Sequence, residues 1–291
     1  MEKNIEELGE VQLYYIDNNT IEKIEVLFPV CVANEIKKGE AFGLAIEEEG
    51  EIRGAAAAAF YPETDHLEVL SIYVAKEARR RHLGATLLLQ MIYAVMEETE
   101  GELRAVTMSF LENTEGMKAF LEMIGFEMEI LKEEGSFFLD RKLLEESRIM
   151  EMAGNGVGKD IMVTSLKELS DYELKELYHQ LQESETAYIS LKELQKISND
   201  YSYVIREKQK EFLACCIITG DKQPVLTQFY AKKGNAKYGM AVLTKSLLAL
   251  IKEEGDWRLE IPCISVSSIR LLEKLVPGAK KENYIRAVLY V

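Results

Sequence analysis

The sequence predicts an α/β (α+β) fold built as two tandem domains, and three observations lead there. Short apolar and β-branched runs alternate with amphipathic stretches of helical period along the chain. A chain of 291 residues that is 47% hydrophobic can bury two substantial cores. The order of elements in the first half is repeated in the second, beyond a glycine-rich break.

In the first half, Phe42 to Glu47 and Ile52 to Tyr61 read as a hairpin around Glu49-Gly50. The run containing Val69, Ile72, Tyr73 and Val74 reads as a buried strand, and Ala85 to Met96 as an amphipathic helix with Gly101 as its C-cap. A strand follows from Leu103 to Phe110. Asn113 then precedes a second helix, which Gly125-Phe126 closes.

Between the buried strand and the first helix stand Arg79, Arg80 and Arg81. The positive end of a helix dipole repels cations, so arginines at that end imply an anion against them, and phosphate fits. Strand, basic glycine-containing turn and helix together resemble the acyl-CoA site of the GNAT superfamily of acetyltransferases. Its signature is Arg or Gln, two residues, Gly, one residue, then Gly or Ala. In this chain the run is Arg79-Arg80-Arg81-His82-Leu83-Gly84, followed by Ala85-Thr86-Leu87-Leu88. His82 replaces the first glycine and brings a Cβ to a backbone meant to approach a pyrophosphate. Histidine tolerates positive φ better than most side chains. The segment from Asn113 to Phe126, NTEGMKAFLEMIGF, is similar to the family's second signature region.

The resemblance implies that each domain is a mixed, mostly antiparallel twisted sheet flanked by helices. It also implies acetyl-CoA (CoA) as acyl donor, held by Ile72, Tyr73, Val74, Arg79, Arg80, Arg81, His82, Leu83, Gly84, Ala85, Thr86 and Asn113. Asn113 has two readings, a hydrogen bond to the pantetheine arm or a helix cap.

Acyl transfer to an amine requires a neutral nitrogen, so a base must accept a proton near the thioester. Glu68 lies eleven residues ahead of Arg79, where some GNAT enzymes place a base glutamate. Flanked by Leu67, Val69 and Leu70, it is either a desolvated base or a strand-end carboxylate facing water. The family's acid is a tyrosine in the second signature helix, a position that Leu121 takes in this chain. Leucine cannot donate a proton, so Tyr73, Ser109 or a water serves as acid, or catalysis is weak or lost.

Arg148 to Lys159, with Gly154, Gly156 and Gly158, reads as a linker between a first domain over residues 1–147 and a second over 160–291. The second half reads as strand (Ile161 to Thr164), helices (Leu169 to Gln182 and Leu191 to Ile197), and strands (Tyr203 to Arg206, Phe212 to Thr219 and Val225 to Ala231). A long helix (Met240 to Glu254), a strand (Arg258 to Ile261), a helix (Ser267 to Leu275) and a closing strand near Ile285 to Val291 follow. Its loop from Lys232 to Gly239 has glycines misplaced for the signature. The second half is therefore expected to be a degenerate GNAT-like domain, tandem proteins with one vestigial half being a known theme of the family.

A formal charge of −15 argues against a nucleic-acid partner and is compatible with a cationic amine or with solubility alone. No apolar run is long enough for a bilayer and no signal-peptide core is visible, so a cytoplasmic protein without a membrane partner is expected. Cys31, Cys215, Cys216 and Cys263 lack metal or disulfide spacing and read as reduced, buried thiols, and the three histidines predict no metal. Met91, Met96, Met108, Met117 and Met123 read as core packing. His66 and His179 read as surface residues.

Two function classes remain open: an acetyl-CoA-dependent N-acetyltransferase acting on a small-molecule or peptide amine, and a non-catalytic CoA-binding or structural module. A monomer and a homodimer are both compatible with two fused modules.

Overall fold

A computed structural model of the chain describes residues 5–8, 11–18, 20–24, 27–154, 163–184, 189–207, 211–220, 223–263 and 265–291. Two compact units emerge, and neither coincides with an expected domain. The first comprises Met1–Ile130 with Tyr284–Val291, and the second Leu131–Asn283.

In the first unit, β1 (Ile5–Leu8), β2 (Val11–Ile16), β3 (Phe42–Glu48), β4 (Glu51–Tyr61), β5 (His66–Val74) and β6 (Ala105–Leu111) form a sheet in chain order. Residues 284–290 of β13 (Lys281–Tyr290) pair antiparallel with β6, from Tyr284 opposite Leu111 to Tyr290 opposite Ala105. The closing strand expected to finish the second domain therefore completes the first. Its pattern explains why: Ile285 and Ala287 are buried in the same cluster as Val106, Met108 and Phe110. The expected boundaries at 147 and 160 miss this exchange, because local pattern cannot tell which β6-like edge a strand will join.

The β3–β4 hairpin turns on Glu49 (φ 55°) and Gly50 (φ 79°), the left-handed pair that a two-residue turn requires. One sheet face packs on α2 (Leu83–Glu98) and α3 (Met117–Ile124) through Leu87, Leu88, Met91 and Leu121. The other packs on α1 (Val30–Lys38), where the alanines 55, 57 and 59 let Val32, Ala33 and Ile36 approach. Helices α2 and α3 lie within about a turn of their expected spans, but α2 has Thr99 as C-cap, with Glu100 and Gly101 left-handed beyond it.

In the second unit, Gly135–Leu139 of β7 (Glu127–Leu139) pair antiparallel with β12 (Leu259–Cys263). The sheet continues through β11 (Val225–Ala231), β10 (Phe212–Thr219), β9 (Tyr203–Arg206) and β8 (Thr164–Ser165). The helices are α4 (Arg141–Glu145), α5 (Arg148–Gly154), α6 (Asp171–Glu183), α7 (Leu191–Lys196), α8 (Ala236–Leu250) and α9 (Val266–Leu275). Ser170 with Glu173, and Ser190 with Glu193, form capping boxes at α6 and α7.

The expected linker starts as helix α5, with Ile149 fully buried in the second unit's core; its remainder, 155–159, and the expected strand start at Ile161 fall outside the described residues. In the first unit β5 and β6 run parallel, whereas β3 with β4 and β4 with β5 are antiparallel. In the second, β11 and β12 run parallel, whereas β10 is antiparallel to both β9 and β11. Each sheet is thus mixed and mostly antiparallel, flanked by helices. No helix among the described residues is long and apolar enough to cross a membrane.

Candidate functional site

The first unit's site is built where β5 leaves β6. His66 to Val69 pair with Ala105 to Met108, and the described pairing stops there, while β5 continues to Val74 and β6 to Leu111. On its other side β5 stays bonded to β4 through Val74, with a bulge opposite Ala57 and Ala58 that turns the strand. Leu70 to Val74 thus present a strand edge to a widening gap. Such an edge is a row of backbone donors and acceptors for an extended, amide-containing ligand.

That edge leads into the loop before α2. Arg80 (φ 64°) and His82 (φ 63°) are both left-handed, and His82 is the N-cap residue of α2 without a side-chain cap bond. The signature position occupied by His82 does require positive φ, which is why glycine suits it and histidine survives there. Thr86 N–H bonds back to the His82 carbonyl, so the amides of Leu83, Gly84 and Ala85 are those that a helix start leaves without intrahelical acceptors. Gly84 has a different reason: a Cβ there would meet the Phe120 ring of α3 at 3.3 Å.

The three arginines divide. Arg79 Nε donates to the Val74 carbonyl at 3.1 Å, bracing the turn. Arg81 is bound bidentate by Glu48 of β3, with Nη1 to Oε2 at 2.7 Å and Nη2 on Oε1. Those bonds hold the Glu48 carboxyl below the usual carboxylate range. Arg80 has no hydrogen bond or ion pair among the described residues. The arginine run read from sequence as one anion site is therefore one brace, one ion-paired side chain and one uncommitted cation.

At the near end of the gap, Tyr61 Oη donates to Glu68 Oε2 at 3.1 Å. Burial, then the Glu68 carboxylate, pushes the Tyr61 phenol above its ordinary value. His66, expected on the surface, is half-buried: its Nε2 lies 2.7 Å from Thr107 Oγ1 and its ring stacks on Tyr61 at 5.8 Å between centroids. Glu68 itself is half-buried, between the two situations its sequence left open. By register, Glu68 opposite Ala59 lies on the sheet face of α1, while Ile72 opposite Ala56 and Val74 opposite Gly54 lie on the face of α2, against whose core Tyr73 also packs.

Asn113 is exposed and lies three residues before Gly116, the N-cap of α3, so it does not cap that helix. Leu121 is fully buried in the core, so its position offers nothing to a leaving group. Two contributors escaped the sequence reading. Tyr61 was assigned only to a hairpin, and Arg286 comes from the far end of the chain, opposite Ser109. A tyrosine and a glutamate seven residues apart across the four-residue turn 62–65 are a legible local signal; the Arg286 placement has none.

The second unit keeps the frame and loses the chemistry. β11 meets β12 at Val225 opposite Glu260 in the described register. In its loop, Gly239 is buried against Ala231, whose Cβ would stand 2.8 Å from an added Cβ, so this glycine serves helix-strand packing. Cys215, Cys216 and Cys263 are buried and free; burial pushes the Cys216 thiol up to about 12. The Cys31 side chain lies outside the described set. No group of metal-ligand residues occurs among the described residues. Met91 and Met108 are buried, whereas Met123 is 64% exposed and does not pack as expected.

Residues 12–126 match the model of the acetyltransferase (GNAT) family. A tandem GNAT protein from the clavulanic acid biosynthesis pathway aligns over 97% of this chain and 98% of its own, at 13% identity and a TM-score of 0.59. A probable N-acyltransferase from Enterococcus faecalis V583, described as a conserved protein of unknown function, aligns over 96% of this chain and 72% of its own, at 8% identity and a TM-score of 0.50. No curated protein is similar enough in sequence to match. Residues 12–126 thus form a domain of the GNAT acetyltransferase family, and the chain as a whole has the fold of a tandem GNAT protein.

Proposed function

We propose that the first unit transfers an acetyl group from acetyl-CoA to the amine of a small molecule or peptide. The observation that carries this is the parting of β5 from β6 after Val69 and Met108, which leaves a free strand edge running to the start of α2. The edge suits the amides of a pantetheine arm, and the amides of Leu83, Gly84 and Ala85 suit a pyrophosphate. Arg80 supplies the uncommitted positive charge, and the exposed Asn113 bonds the arm.

Bound acetyl-CoA supplies a thioester carbonyl that a neutral amine attacks, releasing a thiol. Glu68 accepts the amine proton, with Tyr61 fixing one of its oxygens so that the other faces the acceptor. Tyr73, five residues on in the same strand, returns a proton to the departing sulfur in place of the tyrosine that Leu121 displaces. The net charge of −15 favours an amine approaching as a cation and disfavours nucleic acid. The burial of Leu121 supports a second reading, a CoA-binding module without turnover.

Calorimetry of acetyl-CoA on the full chain, followed by thiol release with a panel of amines, tests both. Glu68→Gln is expected to lower turnover by about two to four orders of magnitude with CoA affinity retained. Binding without thiol release from any amine would leave the second reading, and absence of binding at millimolar acetyl-CoA would sink both.

A further inference from the structure

Resting on the acetyl-transfer reading above, we propose that the acceptor is a zwitterion, an amine that also carries a carboxylate, and that Arg286 binds that carboxylate while the amine lies at Glu68. The register of the first unit places both residues on one face. Glu68 pairs with Thr107, and Ser109, two residues on, pairs with Arg286. The opposite face of these strands is the buried core of Leu67, Val69, Val106, Met108, Ile285 and Ala287. Polar side chains therefore gather on the other face, which α1 covers at the β4 alanines, with His66 and Thr107 bonded to each other and Ser109 and Arg286 exposed.

Arg286 differs from the arginines that are ion-paired. Arg53, Arg81, Arg104 and Arg206 each meet a carboxylate within 4 Å, in a chain with 50 acidic and 35 basic residues. Arg286 has no hydrogen bond or ion pair among the described residues. Glu68 likewise keeps Oε1 without a bond there, since Tyr61 binds Oε2. Two opposite charges, each with open bonding capacity, face one space.

The spacing suits a small ligand. The two Cα positions are two strand spacings apart, roughly 10 Å, and offset along the strand by two residues, roughly 7 Å. Arginine and glutamate side chains are long enough to close that span onto a small ligand. Arg286 also stands beside Ser109, the first β6 residue beyond the paired stretch, so one strand separates it from the gap in which the thioester would lie. A simple amine would use Glu68 and leave Arg286 unused. An amino acid satisfies both, and the planar guanidinium matches a carboxylate bidentately.

The test compares acceptors that differ only by the carboxylate, lysine with cadaverine, tyrosine with tyramine and phenylalanine with phenethylamine, using the full chain and acetyl-CoA. The amino acid of at least one pair is expected to have the higher kcat/KM, by about ten- to a hundredfold. Arg286→Gln should remove that preference mainly through the amino-acid KM, and Arg286→Lys should restore part of it. Preference for the decarboxylated member throughout would overturn the proposal, as would equal losses for both members in Arg286→Gln, which would make the residue structural. Weakened acetyl-CoA binding in Arg286→Gln would assign it to the donor and also overturn the proposal. Acetyl-CoA bound by the wild-type chain with no amino acid acetylated rejects the acceptor class alone, whereas absence of acetyl-CoA binding rejects the underlying function.

Discussion

Arg81, in the loop before α2, is held by both oxygens of Glu48 on β3, thirty-three residues earlier in the chain. The pair sits beside the anion-attracting end of the helix and neutralises one of the three arginines there. Arg53 lies 3.8 Å from the same carboxylate, so Glu48 is shared between two cations.

Glu48→Gln should free Arg81 and tighten CoA binding by about two- to fivefold at low salt, with the gain shrinking as ionic strength rises. Calorimetry at two salt concentrations checks this. The sign with pH follows from the depressed Glu48 carboxyl: the pair's contribution is fully present above the unfolded glutamate value and is lost as pH falls through the lower, folded one. Weaker binding in Glu48→Gln would mean that the ion pair positions Arg81 for the ligand.

His82→Gly should strengthen CoA binding and raise stability by about 1 kcal/mol, because the residue occupies a left-handed conformation that costs an L side chain and not glycine. Denaturant unfolding and CoA titration report the two effects separately. Loss of affinity alongside a gain in stability would show that the imidazole touches the ligand.

Tyr61 is expected to ionise above the ordinary phenol range, because burial and the Glu68 carboxylate both oppose the phenolate. A raised folded value means that the Tyr61–Glu68 hydrogen bond is present at neutral pH and lost only as pH rises through that value. The difference in phenolate absorbance between the wild type and Tyr61→Phe should therefore titrate above about 10. A midpoint below that value would remove the hydrogen bond from consideration.

Deletion of Tyr284–Val291 should destabilise the first unit although it lies at the other end of the chain. Ile285 and Ala287 would leave its core and β6 would become an open edge. The loss of Ile285 burial alone is worth about 1.5–3 kcal/mol. Unfolding followed at low denaturant should show an early phase in the truncated chain, and a piece ending near Ser147 should share the defect. Unchanged unfolding of the truncated chain would reassign the strand to the periphery.

What the sequence determined by itself is local. Alternation marked β3, β4 and β5, periodicity marked α2, and the run Arg79 to Gly84 identified a turn that needs positive φ before a helix. Each of those properties arises from neighbours within a few residues, so spacing reveals them. Four features were decided by the tertiary structure: the pairing of Arg81 with Glu48, the tyrosine bond to Glu68, the burial of Leu121 and the insertion of residues 284–290 beside β6. Each depends on which strand edge or core face meets which, and a strand of alternating residues fits many edges equally until its buried face is matched to a particular core. The split of the arginine run has the same origin, since only the folded sheet brings the β3 carboxylate to the loop.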